Sequence, residues 1–242
     1  MMTAQDAPRF RQVFTNKHVV LPVLHVTSLA QARRNAQIAK DAGADGVFLI
    51  NHAIGSDALL SIHAGVAELL PGWWIGVNCL DLDPETVFSR ISSRVSGVWV
   101  DNAMIQEGQD EQPDAEAVLK AQAANGWTGL YFGGVAFKYQ RHVNDLRTAA
   151  QTARRFMDVV TTSGPGTGKA AQVQKIRTMK AALGDFPLAI ASGITPDNVQ
   201  DYLPYSDCYL VATGIGSSFE DLDPALVKRL VETVRAYDAE NG

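Results

Sequence analysis

The sequence predicts an α/β fold in which eight strand-plus-helix units close into a single (β/α)8 barrel. Apolar runs typical of buried strands alternate along the 242 residues with segments of helical periodicity, and this alternation predicts a parallel sheet. In the last third of the chain, three such runs end in glycine-rich polar loops and recur about every 25 residues, the length of one unit. The length of the chain also suits one α/β barrel, which commonly uses about 250 residues.

The composition argues against several classes of protein. Hydrophobic residues make up 46% of the chain and charged residues 19%, which provides for a large core and is unlike a disordered protein. The net charge of −5 argues against non-specific binding of nucleic acid. The N-terminal residues show no secretory signal, and no apolar run approaches the roughly 20 residues that span a bilayer. We therefore expect a cytoplasmic protein that binds a small molecule, without a nucleic-acid partner or a membrane span; homo-oligomerisation stays open.

The eight predicted units follow one another without a linker. Their strands are continuous apolar runs, as expected where both faces of a strand are covered. In chain order, each predicted strand and the helix after it are residues 18–26 and 30–42, 45–52 and 58–70, 73–80 and 84–94, 97–103 and 115–125, 129–136 and 143–155, 156–163 and 173–183, 187–193 and 196–203, and 208–214 and 224–237. Residues 18–242 thus form the predicted barrel, and residues 1–17 form an N-terminal lead-in.

Capping residues support several of these helix boundaries. Asp83, Thr195 and Asp223 each stand directly before a proline, so a side-chain oxygen can accept from the first turn of the helix. Gly43 and Gly126 follow predicted helices and tolerate the left-handed conformation that ends many helices. The local signals therefore agree with the repeat.

The loops after strands six to eight predict a phosphate-binding site. In a (β/α)8 barrel these loops share one face, where small residues expose backbone N–H groups and hydroxyls add further donors. The alternative is that the glycines only make tight turns between strand and helix. The predicted phosphate-binding residues are Ser163, Gly164, Gly166, Ser192, Gly193, Thr213, Gly214, Ile215, Gly216 and Ser217.

Four polar residues at strand ends are the predicted catalytic residues: Asp101, Lys138, Asn78 and Asn102. Function in this fold lies at the C-terminal ends of the strands. Asp101 would serve in acid–base chemistry or hold a divalent metal, and the alternative is a cap or an ion pair. Lys138 would neutralise a phosphate or carbonyl oxygen or form an imine, and the alternative is a solvated lysine or a structural ion pair.

The histidines and cysteines predict no metal site, because no spacing among them is typical of one. We interpret His25 and His52 as structural, although both stand at strand ends. Cys79 and Cys208 lie in strands that are not neighbours, so we expect buried, reduced thiols. The sequence carries no cofactor motif; a divalent metal at Asp101 stays open.

Several motifs together resemble the BtpA family. They are VLPVLH at residues 20–25, WIGVNCL at 74–80, Lys138, TTSGPGTGK at 161–169 and ASGITPDN at 191–198. The resemblance runs through most of the chain and implies a TIM barrel with a phosphate site. It also implies a link to a family that takes part in photosystem I biogenesis in phototrophs and occurs widely in organisms without a photosystem.

Two loops depart from the pattern of that family. The loop after the first strand, residues 27–29, is shorter than the family implies, and the loop at 214–218 lacks a longer insertion that contains a lysine. Both missing pieces would help to close the mouth of the barrel, so the substrate is expected to differ within the family.

Two functions fit the sequence. The first is an enzyme of isomerase, lyase or transferase type that acts on a phosphorylated sugar, nucleotide or related small metabolite. The second is a non-catalytic ligand-binding or assembly factor that uses the same pocket. The enzyme needs a buried ionisable residue near the reacting carbon of its ligand, whereas the binding protein needs only the phosphate site.

Overall fold

Eight parallel strands close into one barrel, in which each strand pairs with its neighbours in chain order and the last pairs with the first. The computed structural model describes residues 8–241. Strands β1 to β8 span Val19–His25, Gly46–Ile50, Trp74–Asn78, Gly97–Val100, Leu130–Gly134, Val159–Ser163, Leu188–Ala191 and Cys208–Val211. The predicted single (β/α)8 barrel is thereby confirmed.

Eight helices accompany these strands in the described part of the chain. Helix α1 is short, Arg9–Val13, and precedes β1. The other seven follow strands β1 to β6 and β8 and form an outer layer. Helices α2 to α8 are Leu29–Asp41, Ser56–Leu69, Pro84–Arg90, Pro113–Asn125, Leu146–Ala153, Val173–Leu183 and Pro224–Asn241.

The prediction of a helix at residues 196–203 is wrong. Two short 3-10 turns, Val199–Asp201 and Leu203–Tyr205, stand in its place. Pro204 explains why no α-helix continues here, because it lacks the N–H donor and its ring would clash with the carbonyl of the preceding turn. The side chain of Asn198 also accepts from the N–H of Thr195 at 2.8 Å, a local bond that competes with helix formation.

Two of the predicted caps form. The carboxylate of Asp83 accepts from the N–H of Thr86 at the start of α4, at 2.8 Å. Asp223 accepts from the N–H of Ala225, also at 2.8 Å, at the start of α8. Such caps contribute about 1 kcal/mol each, because they satisfy N–H groups that have no partner within the helix.

The inside of the barrel is packed with large side chains at its N-terminal end. Phe48, Trp74 and Phe132 contact one another there, with ring centroids 5.0 to 5.9 Å apart. Phe10 and Phe14, from α1 and the residue after it, cover this cluster from below and are almost fully buried. Residues 8–17 therefore lie against the bottom of the barrel; the first seven residues of the predicted lead-in lie outside the described residues.

The alternation of side chains decides what faces the other end of the barrel. The inward-facing positions of β1, β2 and β4 carry apolar residues along their length. Two residues further on, at the C-terminal end of each strand, the same face carries His25, His52 and Asp101. Inward-facing polar groups therefore collect at the C-terminal mouth.

Two further features concern membrane-spanning helices and the state of the cysteines. Among the helices within residues 8–241, none is both long and apolar enough to cross a membrane. Cys79 and Cys208 are free and buried, as the sequence predicts.

Candidate active site at the barrel mouth

A cavity of about 250 Å³ opens at the C-terminal mouth of the barrel. Its floor is apolar, and its polar wall comes from strand ends and from the loops after β5 to β8. The polar or glycine residues that line it are His25, His52, Asp101, Lys138, Tyr139, Thr167, Gly168, Ser192 and Thr213, together with the indole of Trp99. Two of the four predicted catalytic residues, Asp101 and Lys138, thus share one cavity.

Two cavities of more than 600 Å³ lie elsewhere and lack this convergence of strand-end groups. One of 610 Å³ lies at the opposite end of the barrel, beside Val13 and Trp73. The other, of 630 Å³, is a groove outside β5 and β6, beside Leu146 and Lys175. The ammonium of Lys175 already donates to the backbone carbonyls of Ala136 and Ser163, at 2.5 and 2.7 Å. Burial lowers the pKa of Lys175 to about 8. Its two hydrogen bonds nevertheless indicate a structural role, because they link the segment that follows β5 to the end of β6.

Asp101 has the electrostatic setting of a group that exchanges protons. Its Oδ1 accepts from the side-chain amide of Asn78 at 3.0 Å. Burial raises the pKa of Asp101 above its ordinary value, and the Asn78 bond and the positive charge of Lys138 only partly oppose this. The third predicted catalytic residue, Asn78, therefore orients the Asp101 carboxyl group.

Asn102, the fourth predicted catalytic residue, is not brought to this cavity. Its side-chain oxygen accepts from the N–H of Met104 at 2.9 Å and so stabilises the loop after β4. It lines two neighbouring cavities instead, of about 310 and 160 Å³. The side chain turns away from the mouth because it follows Asp101 by one residue, and consecutive side chains at a strand end point to opposite faces.

Lys138 places a positive charge among hydroxyl groups at the mouth of the barrel. Its Nζ donates to the hydroxyl of Ser192 at 3.1 Å and to that of Thr167 at 3.4 Å. Within residues 8–241 it takes part in no salt bridge, although the fold contains several others. Its backbone N–H donates to the hydroxyl of Ser163 at 2.8 Å, which fixes the start of the loop.

The loop after β7 has a backbone suited to turning polar groups toward Lys138. Ser192 and Gly193 both have positive φ, 84° and 74°. This conformation costs energy for serine, and such strain is common at binding sites. Among residues 8–241, the N–H groups of Gly168 and Gly193 have no acceptor for a hydrogen bond. The mouth therefore offers a cation, hydroxyls and unpaired backbone donors close together.

Three of the predicted phosphate-binding glycines serve the packing of the loops on each other. A Cβ on Gly164 would lie 2.0 Å from the carbonyl oxygen of Lys169, and one on Gly193 would lie 2.3 Å from the nitrogen of Ala170. A Cβ on Gly214 would lie 1.9 Å from the carbonyl oxygen of Ile194. Close packing between loop segments therefore explains why glycine is required at these positions.

The remaining predicted phosphate-binding residues differ in their surroundings. Thr213 lines the cavity. A Cβ added to Gly166 would lie 3.5 Å from the hydroxyl oxygen of Tyr139. Backbone N–H groups of Ile215 and Ser217 are occupied, since they donate to carbonyls of the same loop at 3.0 and 2.9 Å. Ser163 ends β6, and its hydroxyl donates to the next carbonyl; Gly216 pairs with Leu222 inside its own loop.

His25 and His52 belong to the mouth, which the interpretation of both as structural did not foresee. Their rings lie 4.9 Å apart, and the ring of Phe219, from the loop after β8, lies 3.9 Å from that of His25. Burial lowers the pKa of His25 to about 4 and also lowers that of His52. The signal that could have found them is their position two residues beyond an inward-facing apolar residue.

A metal at this site finds little support in the donor set. Within the described residues, no group of three or more His, Cys, Asp or Glu side chains converges as a metal site requires. The hydrogen-bond partner of Asp101 is a neutral amide rather than a second carboxylate.

Comparisons with known proteins agree with this architecture. The family model of the BtpA family matches residues 74–236. No protein with a curated description matches the sequence.

Solved structures of phosphate-handling barrels share the fold. (S)-3-O-geranylgeranylglyceryl phosphate synthase from Thermoplasma acidophilum, in complex with its substrate sn-glycerol-1-phosphate, is 15% identical with a TM-score of 0.68 over 98% of this chain and 100% of that one. Phosphoribosyl anthranilate isomerase from Thermotoga maritima is 16% identical with a TM-score of 0.63 over 90% and 100%. The isomerase from Thermus thermophilus is 15% identical with a TM-score of 0.62 over 90% and 99%.

Proposed function

The chain belongs to the BtpA family, and from the geometry of its barrel mouth we propose that it is an enzyme acting on a small phosphorylated metabolite. One observation carries the proposal. The ammonium of Lys138, which donates to the hydroxyls of Ser192 and Thr167 and forms no salt bridge within residues 8–241, shares a cavity of about 250 Å³ with the carboxyl group of Asp101, whose pKa burial raises. An unpaired cation and a protonatable acid in one cavity are what binding and converting such a metabolite requires.

The phosphate group binds on the side of the cavity formed by the loops after β5 to β8. Lys138 supplies the charge, and the hydroxyls of Thr167, Ser192 and Thr213 supply further donors. Unpaired backbone N–H groups of the same loops, such as that of Gly168, are the usual complement of such a cradle. The donors Ile215 and Ser217 are left out of this proposal because the loop itself uses them.

Asp101 performs the chemistry as a proton donor or acceptor. A carboxyl group with a raised pKa keeps its proton closer to neutral pH than an ordinary aspartate and is therefore the better general acid. Asn78 holds it in one orientation through the 3.0 Å bond. Lys138 acts by charge in this proposal rather than as an imine-forming amine.

The similar solved structures support the choice of a phosphorylated ligand. One of them holds sn-glycerol-1-phosphate as substrate, and two are isomerases named for a phosphoribosyl compound. A cytoplasmic location belongs to the same proposal and agrees with two free cysteines.

Inorganic phosphate provides the first test of the proposal. Phosphate should raise the thermal unfolding temperature of the wild-type protein, because a ligand that binds only the folded state adds about 2.7 kcal/mol at 100 times its Kd. Lys138→Met and Ser192→Ala should each lose most of this gain. Lys120→Met, at an exposed lysine on α5, is the matched control and should keep it. Equal gains in all four proteins would refute a phosphate site, since ions also stabilise proteins by general exclusion.

Catalysis is tested separately by following phosphorylated sugars and nucleotides with 31P NMR in the presence of the purified protein. Conversion by the wild type that is lost in Asp101→Asn, while phosphate still protects the variant, is the expected result. Protection by phosphate without conversion of any compound would favour the non-catalytic binding protein.

A further inference from the structure

The groove outside β5 and β6, with a volume of about 630 Å³, is basic in an otherwise acidic protein. Among the described residues that line it, none is Asp or Glu, and the basic ones are Lys138, Arg141, His142 and Lys175. The whole chain, in contrast, carries a net charge of −5. A cavity lined by charges of one sign attracts ligands of the opposite sign, so this groove favours an anion.

Lys175 brings to the groove a positive charge that its contacts leave uncompensated. Its Nζ donates to the carbonyl oxygens of Ala136 and Ser163, and both of these residues line the same groove. An ammonium has three N–H donors. Within residues 8–241, the third donor has no acceptor, and no carboxylate pairs with the charge. An anion bound in the groove would supply the missing partner.

The other basic side chains of the groove have different settings. Arg141 forms a salt bridge with Glu107, which comes from the loop after β4 and does not line the groove. His142 is exposed. Burial lowers the pKa of Lys175 to about 8, so its ammonium is still the main form at pH 7. Lys175 is therefore the half-buried cation that a bound anion would stabilise most.

The groove adjoins the mouth cavity. Lys138 and Tyr139 line both. The side chain of Tyr139 is 78% exposed, and its hydroxyl accepts from the N–H of Thr167 at 3.2 Å, which links it to the loop after β6. A ligand whose phosphate group binds Lys138 can therefore extend past Tyr139 into the groove.

We propose that the groove binds a second acidic group of the substrate, so that the substrate is a phosphorylated compound with a carboxylate or a second phosphate at its other end. Lys175 binds this group through its free N–H donor and its charge. The inference rests on the proposed function, because Lys138 binds the first phosphate group. A substrate with one acidic group would leave the charge of Lys175 without a partner.

Calorimetry on the wild-type protein at pH 7 and constant ionic strength tests the inference. The probes are inorganic phosphate, n-alkyl phosphates of three, five and seven carbons, and the same chains ending in a carboxylate or in a second phosphate. For at least one chain length, a probe with two acidic groups should bind at least about tenfold more tightly than the alkyl phosphate, because a hydrogen bond between charged groups is added. The carboxylate and phosphate probes identify which acidic group the groove accepts.

The outcomes separate this inference from the proposed function. If the alkyl phosphates bind and no chain length favours a second acidic group, the inference is overturned while the phosphate site stands. If neither inorganic phosphate nor any alkyl phosphate binds, the proposed function falls as well.

The variant Lys175→Met then locates the effect. It should remove most of the preference for a probe with two acidic groups over the matching alkyl phosphate, because the ammonium is gone. A folded Lys175→Met protein that keeps the preference of the wild type would refute the role of Lys175.

A second variant tests the groove without removing the two hydrogen bonds of Lys175. Gln172 is exposed, lines the groove and forms no capping bond to α7. Gln172→Glu should reduce the preference by about two- to fivefold through charge repulsion. Gln151→Glu, at an exposed position of α6 outside the groove, is the matched control and should keep it. Equal preferences in Gln172→Glu and Gln151→Glu would refute binding in the groove.

Discussion

Asp101, the proposed proton donor or acceptor, shows how burying a single carboxyl group costs stability. Its carboxyl group lies in a partly closed cavity, and one amide bond from Asn78 does not compensate for the water it has lost. The pKa of Asp101 is therefore raised, which means that the folded state binds the proton more tightly than the unfolded state does. Active-site residues often destabilise the fold that holds them.

The variant Asp101→Asn should accordingly be more stable than the wild type at pH 7. Because the pKa of Asp101 is raised in the folded state, the wild-type protein loses stability as the pH rises from the ordinary value of 3.8 through the folded value. Asparagine is uncharged and still accepts from Asn78, so it avoids this loss. Urea unfolding at pH 7 and pH 4 measures the effect, and the gain should shrink at the lower pH.

A control separates this effect from the general removal of negative charge. Asp110 is exposed, and Asp110→Asn should change the free energy of unfolding by no more than about 0.5 kcal/mol. A variant Asp101→Asn that is less stable than the wild type at pH 7 would contradict the electrostatic account.

At the scale of elements, the loops after β6, β7 and β8 form one unit. The backbone of each loop touches the next, at Gly193 against Ala170 and at Gly214 against Ile194. Lys138 adds bonds from the loop after β5 to two of them. The cradle proposed for phosphate is therefore a product of four loops that hold each other in place.

Gly193→Ala should damage this unit far more than its backbone angle alone explains. Gly193 and Gly72 have nearly the same positive φ, 74° and 76°. An added Cβ at Gly72 meets nothing within 4 Å, whereas at Gly193 it lies 2.3 Å from Ala170 N. We expect a cost of about 1–2 kcal/mol for Gly72→Ala, the penalty of the left-handed conformation, and a larger cost for Gly193→Ala. Chemical unfolding measures both, and equal costs would show that the loop contact is unimportant.

At the scale of the whole molecule, the two ends of the barrel have separate tasks. The N-terminal end is closed by α1, where Arg9 pairs with Asp158 at 2.9 Å and Arg11 pairs with Asp207 at 2.6 Å. The C-terminal end carries the cavity and the unpaired polar groups. The contacts of α1 that stabilise the fold and the proposed binding site thus lie at opposite ends, as the fold generally allows.

Phe10→Ala should separate these tasks. Phe10 is fully buried against Phe132, and its truncation should cost about 3–5 kcal/mol. Val13 lies on the same helix but is 48% exposed, so Val13→Ala should cost no more than about 0.5 kcal/mol. Both variants, if folded, should gain as much thermal stability from phosphate as the wild type. A loss of phosphate protection in Phe10→Ala would show that the ends are coupled.

The sequence by itself determined the repeat and most element positions. Hydrophobic periodicity and helix caps such as Asp83 are local, so eight units could be counted without knowing how they meet. The helix predicted at 196–203 failed because a bond from Asn198 and the ring of Pro204 outweigh a periodic pattern. The placement of Asp101 and Lys138 at strand ends also followed from the count.

Tertiary structure alone decided which polar groups meet. Both faces of a barrel strand are apolar, so the sequence did not show that His25 and His52 point inward or that Asn102 points away. The phosphate-loop glycines posed the same problem, because a glycine that approaches a ligand and one that approaches a neighbouring loop look alike in sequence. Side-chain direction and loop contact arise only when the barrel closes, since both depend on residues far apart along the chain.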